Sequence, residues 1–398
     1  MKKLMAIVLG SLIVTFCVAC TPENSSPESA EAISENVVGN LAESQTENKS
    51  IELVGTWITD LDGDLMLNPQ TSGLKYDNGH LYSLSDGSAH ETQILRLHQI
   101  SMTDDARVLK KFGPTEFSEN VRNSCFYQYL SYRPDYEALT PIPNEDDAWI
   151  FVTEDASRSE QLSNKCQQQY GESGSTFYPT LLVRVQVKGE GLEVTHVRPV
   201  QFPKTALVGD FPNDGIEGLT VTRDNRLLLG LEKDLSKHAR VFEIALDNDF
   251  WQDQGFAKVQ DSELLLPRFE AGNHPINGMD VFYPSPESDG YLFAAARNDN
   301  ELWIIDLAKK KPTKKIKLTF LAPSDISQNT AENICEATHV MNNSSIEGVS
   351  VVNNTVWMIN DPWKANYHKN IVCAADQSRY LQNSPLLFKI DIDNNWFE

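Results

Sequence analysis

Short runs of alternating apolar and polar residues, separated by turns rich in Gly, Asn, Asp and Pro, dominate the chain after residue 50. The clearest example is the segment 213–233, NDGIEGLTVTRDNRLLLGLEK, in which two runs of Leu and β-branched residues flank the turn RDNR. This pattern predicts a β-hairpin. Because the strands of a hairpin are antiparallel, Glu217 at the start of the first and Glu232 at the end of the second should lie at one edge of the sheet.

The same hairpin pattern recurs four more times along the chain. Its relatives are SGLKYDNGHLYSLSD (72–86), EALTPIPNEDDAWIFVTE (137–154), NGMDVFYPSPESDGYLFAAARN (277–298) and EGVSVVNNTVWMIND (347–361). A third apolar strand follows each of the five hairpins, at 93–100, 181–187, 240–246, 301–307 and 386–392. A fourth follows all but the last, at 107–112, 192–197, 257–265 and 314–320. Repeated four-stranded units predict an all-β fold, a β-propeller of about five four-stranded blades.

The segment 51–58, IELVGTWI, is a strand that belongs to none of these hairpins. The last blade lacks a fourth strand, so we expect 51–58 to pair with 386–392, and the N-terminal strand then closes the ring. The alternatives are a six-bladed ring and a β-sandwich. The long spacing between successive hairpins disfavours the sandwich, in which turns recur about every 8–12 residues.

The N-terminus carries the features of a bacterial secretory signal over residues 1–20, with two lysines before an apolar run. Its end, Cys17-Val18-Ala19-Cys20, resembles a lipobox and predicts lipidation of Cys20. Leu is usual where this chain has Cys17, so ordinary cleavage without a lipid is the alternative.

Residues 21–50 are rich in Ser, Glu, Asn and Pro and predict a disordered tether ahead of a folded domain at 51–398. Thr21, rather than Asp, follows the lipidated cysteine, which favours the outer membrane. We therefore expect a lipid-anchored protein of the cell envelope, at the outer membrane and facing the periplasm. A soluble periplasmic protein is the alternative.

The charge balance limits the class of partner. The chain has 34 basic and 56 acidic residues, a net charge of −22. This charge disfavours nucleic acids and anionic membrane surfaces as partners, so we expect membrane contact only through the N-terminal lipid. We also expect a monomer. Cations, neutral molecules, or anions held by local basic groups are compatible with the charge.

Four cysteines remain after the signal is removed and Cys20 is lipidated: Cys125, Cys166, Cys335 and Cys373. Cys125 precedes Glu137 by the same number of residues as Cys335 precedes Glu347, and the other two follow those glutamates at similar distances. The repeat therefore predicts the disulfides Cys125–Cys166 and Cys335–Cys373, each joining two loops on one face of a blade. A four-cysteine zinc site is the alternative, but no CxxC spacing supports it.

A ring of acids and amides is expected at one mouth of the central channel, which the innermost strands line. These strands begin at Ser72, Glu137, Glu217, Asn277 and Glu347, and their hairpin partners end at Asp86, Glu154, Glu232, Asn298 and Asp361. Clustered oxygen ligands suit Ca²⁺. The alternatives are catalytic carboxylates whose pKa values are raised by mutual repulsion, and structural acids that accept backbone N–H bonds.

The segments SGLKYDNGHLYSLSD, GIEGLTVTRDNRLLLGLEK and SIEGVSVVNNTVWMINDP resemble the phytase-like domain family described as having esterase-like activity, found in bacterial secreted proteins and lipoproteins. Gluconolactonase-like and other propellers share the Glu-Gly start of the inner strand and bind a divalent metal there. The resemblance implies hydrolysis of phosphate or carboxylic esters. Two repeats depart from the pattern, with Ala138 after Glu137 and Asn277 in place of Glu.

The leading hypothesis is ester or phosphoester hydrolysis by a metal-bound water. Its metal ligands would be Glu217 and Glu347, with Asp361 and Asn277 beside them. Glu137 or Glu232 would act as the base, and Arg297 or Lys233 would stabilise the anion. The alternative is a non-catalytic platform that binds a glycan, a peptide or a partner protein.

Overall fold

The computed structural model describes residues 49–154, 161–209, 215–331 and 334–398, and in it five small sheets surround a central channel. The predicted all-β propeller of five four-stranded blades is thus confirmed, and the six-bladed ring and the sandwich are excluded. The predicted signal, its Cys20 and the tether up to residue 48 lie outside the described residues. In the described ranges, no helix has the length and apolar content needed to cross a membrane.

The chain enters through two short strands and then builds the blades in sequence order. The entry strands are β1 (Ile51–Val54) and β2 (Thr56–Trp57). Blade one is β3 (Thr71–Asp77), β4 (His80–Ser85), β5 (Leu97–Ile100) and β6 (Val108–Phe112).

Blade two carries the longest loops on its mouth side. Before it come β7 (Thr115–Phe117), α1 (Glu119–Arg122) and α2 (Tyr127–Leu130). The blade itself is β8 (Tyr136–Pro141), β9 (Ala148–Thr153), α3 (Asn164–Tyr170), β10 (Leu181–Lys188) and β11 (Gly191–Gln201).

The last three blades follow the same order from the channel outward. Blade three is β12 (Ile216–Val221), β13 (Arg226–Leu231), β14 (Arg240–Ala245), β15 (Ala257–Lys258) and β16 (Gln260–Asp261), of which β15 pairs instead with β11 of blade two. Blade four is β17 (Ile276–Phe282), β18 (Tyr291–Ala296), β19 (Glu301–Asp306) and β20 (Lys314–Pro323), with β21 (Thr338–Val340) at its edge. Blade five is β22 (Ile346–Val352), β23 (Thr355–Asn360), α4 (Gln377–Leu381) and β24 (Leu386–Asp391).

The ring closes through β2, but the entry segment behaves differently from the prediction. Only β2 pairs with β24, with Thr56 opposite Leu387 and Trp57 opposite Leu386. Strand β1 instead pairs in parallel with β20 of blade four. Gly55 separates the two strands, and a Cβ at this position would lie 2.6 Å from the Phe388 ring. The segment 51–58 is therefore not one outer strand but a bridge between blades four and five.

The glycines near the start of the inner strands reflect how tightly the five inner strands converge. Strands β3, β8, β12, β17 and β22 contact one another in that order around the channel. Gly278 has a φ of +46°, and a Cβ there would lie 2.6 Å from the backbone oxygen of Glu347. A Cβ on Gly348 would lie 2.6 Å from the backbone of Gly73. Gly278 and Gly348 thus have a packing reason: at either position a side chain larger than hydrogen would push the blades apart.

Candidate functional site at the channel mouth

A cavity of about 610 Å³ opens at the mouth where the inner strands begin. Nine of the ten predicted ring residues line it: Ser72, Asp86, Glu137, Glu154, Glu217, Glu232, Asn298, Glu347 and Asp361. The predicted Arg297 and Lys233 line it as well, whereas Asn277 lies behind the surface with 1% of its area exposed.

A β-bulge at the start of the inner strand directs the glutamates. In blade three, Ile216 pairs with Leu231 and Gly218 with Gly230, so Glu217 is an extra residue without a partner across the ladder. The same shift places Glu137 in a bulge of blade two and Glu347 in a bulge of blade five. A bulge re-aims the side chain of the extra residue. The bulge therefore accounts for the equivalent position of these three side chains on the cavity wall.

Arg297 joins two of the ring acids on the side of blades three to five. Its guanidinium donates to Glu347 Oε1 and, at 3.0 Å, to Glu232 Oε1. Lys233 Nζ lies 3.3 Å from Glu232 Oε2. Burial acts to lower the pKa of Arg297, but the carboxylates of Glu347, Glu217 and Glu232 outweigh it and raise that pKa. Arg297 is thus a permanent cation between Glu232 and Glu347.

Three carboxylates converge on the side of blade two. One oxygen from each of Asp135, Glu137 and Glu154 lies within 4.8 Å of the other two. The backbone places Asp135 there, because the Glu154 N–H donates to the Asp135 carbonyl at 2.9 Å and the Asp135 N–H donates to Tyr129 Oη at 2.8 Å.

Asp135 was not among the predicted site residues. A signal existed in the Asp-Tyr-Glu spacing, since residues two apart on an extended chain share a face.

The charged groups that surround Glu137 and Glu217 differ from those that surround Glu347. Burial raises the pKa of Glu137 well above its usual range, and the nearby Glu217, Asp135, Glu154 and Asp86 raise it further. Burial also raises the pKa of Glu217, together with Glu154, Glu347 and Glu232, and Arg297 only partly opposes this. The groups that most affect the pKa of Glu137 are thus all acids, whereas Arg297 acts on Glu217 as well.

Asp86 and Asp361 lie at the mouth of blades one and five. Asp361 Oδ1 accepts a hydrogen bond of 2.9 Å from Gln70 Nε2, and Asp86 accepts hydrogen bonds from Ser88. Burial and the charge of Asp135 raise the pKa of Asp86 to about 6. Burial, followed by Glu347 and Asp86, raises the pKa of Asp361 well above its usual value.

Asn277 and Glu347 leave buried polar atoms without partners. Among the described residues, none makes a hydrogen bond to either amide atom of Asn277 or to Glu347 Oε2. The Asn277 amide is close enough to Glu347 to contribute to lowering its pKa, but burial still holds that pKa above its usual value.

Both predicted disulfides are present, which excludes the four-cysteine zinc site. Cys125 is bonded to Cys166 and Cys335 to Cys373. They staple the loops before and within blades two and five, on the face that carries the cavity.

The donor set of Asp135, Glu137 and Glu154 fits a hard divalent cation. Calcium takes oxygen ligands at about 2.3–2.6 Å, so two ligands on opposite sides of the ion lie about 4.6–5.2 Å apart. The 4.8 Å limit on the spacing of the three carboxylates lies within this span. Carboxylate ligands without thiolate or imidazole favour calcium or magnesium over zinc.

Comparison with known proteins yields fold-level likenesses only. No family model matches the chain, and no curated protein matches it. A GH43 β-1,3-galactosidase is 11% identical over 84% of this chain, with a TM-score of 0.42, and the chain spans 58% of that protein. A GH43_1 enzyme from Xanthomonas citri is 8% identical over 82% of this chain and 88% of its own, with a TM-score of 0.39. At these values the likenesses carry no statement about activity.

Proposed function

We propose that this protein is a cation-dependent hydrolase of phosphate or carboxylic esters, with Ca²⁺ held by Asp135, Glu137 and Glu154. The convergence of these three carboxylates within 4.8 Å on the wall of the mouth cavity carries the proposal. A bound divalent cation would act as a Lewis acid on the ester oxygen and lower the pKa of water. The resemblance to the phytase-like family points to the same reaction class.

Glu217 is the proposed general base. It lines the same cavity as the proposed cation ligands Glu137 and Glu154, as a base that activates a cation-bound water must. Glu232 is the alternative base, but both of its carboxylate oxygens already accept hydrogen bonds, one from Arg297 and one from Lys233.

The remaining predicted roles change accordingly. Glu347 was expected to be a metal ligand, but Arg297 pairs with its Oε1, and a second cation beside that guanidinium would be repelled. We therefore assign Glu347 and Glu232 to holding Arg297. The guanidinium then provides positive charge on the wall of the same cavity.

The test measures turnover of p-nitrophenyl phosphate and p-nitrophenyl acetate by the purified protein, with calcium and with excess chelator. We expect hydrolysis of at least one ester in calcium, its loss in chelator, and at least about a hundredfold lower kcat/KM for Glu137→Gln and Glu217→Gln. Glu116→Gln, at an exposed acid outside the cavity, is the matched control and should match the wild type.

Two results would contradict the hydrolase. Turnover that is unchanged by chelator removes the cation from the reaction. Calcium binding without turnover of either ester leaves the alternative, a non-catalytic platform for a glycan, peptide or protein.

We also propose that the protein is an envelope lipoprotein attached through Cys20. The two disulfides suit an oxidising compartment, and the N-terminal sequence has the features of a lipoprotein signal. Cells given radiolabelled palmitate should label the wild type but not Cys20→Ser. A wild-type protein released in soluble form, without label, would instead support ordinary cleavage.

A further inference from the structure

A cluster of lysines interrupts an otherwise acidic chain. Six of the nine residues at 309–317, KKKPTKKIK, are lysines, whereas the whole protein has a net charge of −22. They occupy the turn between β19 and β20 and the start of β20. We call this surface the lysine patch, and its members are Lys309, Lys310, Lys311, Lys314, Lys315 and Lys317.

The patch lies at the end of the ring opposite to the mouth cavity. Strand β18 ends just before Arg297, which lines the cavity, and β19 then runs back from Glu301 to Asp306. The turn that follows β19 is therefore remote from the mouth. Strand β20 returns toward the mouth with ten residues, and at about 3.3 Å per residue it spans roughly 30 Å.

The turn that carries the first three lysines is held by Asp306, which is only 8% exposed. Its carboxylate accepts the backbone N–H groups of Ala308, Lys310 and Lys311 at 3.0, 2.9 and 3.0 Å. The backbone of the turn is therefore fixed, and its lysines extend from defined positions at one end of the ring.

Most of the patch charge has no carboxylate partner among the described residues. Lys309 and Lys317 are exposed and form no ion pair there. Lys311 and Lys314 donate to backbone carbonyls of the C-terminal segment 394–397, which carry no net charge. Four of the six lysines thus keep an uncompensated positive charge.

The other two lysines form weak pairs. Lys310 Nζ lies 3.2 Å from Asp289 Oδ2, but the two side chains are 74% and 63% exposed, and such surface pairs contribute little. Lys315 Nζ lies 3.8 Å from Glu301 Oε2. Even when Asp289, Glu301 and Asp306 are all counted against the six lysines, the patch keeps a net charge of +3.

Protection of a strand edge explains only part of the patch. Lysines on an edge strand prevent pairing with another sheet. That role accounts for Lys315 and Lys317, which lie on β20 before the part that β1 covers. It does not account for Lys309, Lys310 and Lys311, because a turn exposes no strand edge.

The chain enters the folded domain beside the patch. Strand β1 runs parallel to β20, with Ile51 opposite Leu318, the residue that follows the patch. Ser50 Oγ lies 2.7 Å from Thr319 Oγ1. A parallel strand enters from the end at which its partner begins, so the chain reaches β1 from the side of the lysine turn. The predicted tether, which leads back to Cys20, therefore joins the domain next to the lysines.

We propose that the lysine patch binds the anionic phospholipid surface of the membrane that carries the protein, so that the cavity mouth faces away from that surface. Clusters of four to eight basic residues beside a membrane attachment point are attracted to anionic headgroups. The net charge of the chain predicts the opposite, but it averages over both ends of the ring. At physiological ionic strength charges are screened beyond about 8 Å, so acids roughly 30 Å away at the mouth do not cancel the attraction.

The position of the membrane in this inference rests on the proposed attachment at Cys20. The affinity of the patch for anionic lipid does not, because it depends on the lysines alone. The two can therefore be measured separately, with a protein that cannot be lipidated.

The test is cosedimentation of the purified Cys20→Ser protein, the parent, with vesicles of phosphatidylcholine alone or of equal parts phosphatidylcholine and phosphatidylglycerol. We expect binding only to the mixed vesicles at about 0.1 M salt, and release at about 1 M, where the Debye length falls to roughly 3 Å. Adding Lys309→Gln, Lys310→Gln and Lys317→Gln together should lower the partition coefficient at least about tenfold.

The matched control removes the same number of charges elsewhere. Lys165→Gln, Lys188→Gln and Lys204→Gln, made together in the parent, change three exposed lysines of blade two and its loops. This variant should bind the mixed vesicles as the parent does. Lys311 and Lys314 are kept in both variants because they donate to carbonyls, so all three proteins should have the same urea midpoint.

Equal partition coefficients for the patch variant and the control variant overturn the inference, as does a parent that fails to bind the mixed vesicles at about 0.1 M salt. Retention of the parent on heparin beads without binding to the mixed vesicles also overturns it, and would identify a dissolved anionic polymer as the partner. Palmitate labelling tests the anchor and ester turnover tests the hydrolase, so the three proposals fail separately.

Discussion

Glu137, Glu217 and Glu347 occupy equivalent bulges in three blades, yet each carboxyl group has a different electrostatic environment. Glu347 is paired with Arg297, and Glu217 is affected by that guanidinium at longer range. The groups that most affect the pKa of Glu137 are all acids. Equivalent positions in the repeat therefore support different chemistry, since each role depends on which neighbouring blade provides a cation.

The raised pKa of Glu137 predicts how stability varies with pH in the absence of a cation. A carboxyl with a raised folded pKa binds more protons in the native state than in the unfolded state. In chelator, the free energy of unfolding should therefore fall as pH rises above about 4.3, the ordinary glutamate pKa. Asp86, with a folded pKa of about 6, contributes the same sign of change up to that pH. Urea denaturation at several pH values measures the slope.

Glu137→Gln should flatten that slope and raise the unfolding free energy in chelator at pH 7.5. The same variant should lose the calcium gain, which for the wild type is roughly 2.7 kcal/mol when free ion exceeds its Kd a hundredfold. Glu116→Gln should keep both properties of the wild type. If the unfolding free energy in chelator has the same slope against pH for Glu137→Gln and the wild type, the pKa of Glu137 is not raised in the folded state.

Removing Arg297 should destabilise the fold because the buried Glu347 loses its cation and Glu232 keeps only Lys233. Breaking a buried pair costs about 3–5 kcal/mol, and we expect about 2–3 kcal/mol here because the Arg297 side chain is 28% exposed. Urea unfolding of Arg297→Met measures the loss. Adding Glu347→Gln should restore part of it, and a double variant no more stable than Arg297→Met would show that the pair is not coupled.

For single residues, the sequence predicts where the site glutamates lie better than it predicts what each of them does. The strand boundaries placed Glu137, Glu217 and Glu347 at the mouth, because a hairpin brings equivalent ends together. The pairing of Arg297 with Glu232 and Glu347 joins blades three, four and five, and no local pattern encodes such a contact.

Strands and loops show where local patterns succeed and where they fail. The disulfides followed from the repeat because both pairs occupy equivalent loops of their blades. The split of 51–58 did not follow, because β1 pairs in parallel with a strand far away in sequence. Parallel pairing leaves no turn signal, and Gly55 is compatible with both one strand and two.

The bridging role of the entry segment predicts that both halves stabilise the ring. Trp57 is buried, packs edge-on against the Tyr380 ring and donates from Nε1 to the Pro323 carbonyl at 2.9 Å. Leu53 is buried in the same apolar cluster. Trp57→Ala should lower the unfolding free energy by about 3–5 kcal/mol and Leu53→Ala by about 2–5 kcal/mol.

Val54→Ala is the matched control, because Val54 is 52% exposed and should change stability by no more than about 0.5 kcal/mol. Chemical denaturation measures all three variants. A Leu53→Ala protein as stable as Val54→Ala would mean that pairing with blade four is dispensable and that β2 alone closes the ring.

For the whole molecule, the charged residues along the channel are arranged differently at the mouth and deeper inside. The mouth gathers acids around a cavity, whereas deeper along the inner strands Lys75 and Asp280 form a buried ion pair of 2.8 Å. Asp280 also accepts hydrogen bonds from Thr220 Oγ1, Ser350 Oγ and the Val351 N–H. One carboxylate therefore ties together the inner strands of blades one, three, four and five. The repeat predicted the ring of blades, but Lys75 and Asp280 have no counterpart in other blades.

Because the Lys75–Asp280 ion pair connects four blades, its loss should lower the stability of the whole ring. Lys75 is only 3% exposed, so Lys75→Met leaves the Asp280 charge buried without its cation and should cost about 3–5 kcal/mol. Lys75→Met/Asp280→Asn should recover much of the loss, because the new amide is neutral and its oxygen can still accept from the neighbouring blades.

The exposed pair Lys389–Asp104 is the control, and Lys389→Met should cost no more than about 1 kcal/mol. Urea unfolding followed by tryptophan fluorescence measures all three variants. If Lys75→Met costs no more than Lys389→Met, the inner strands are held by packing alone and the tie is incidental. A cost confined to Lys75→Met, with recovery in the double variant, would show that one ion pair acts on four blades at once.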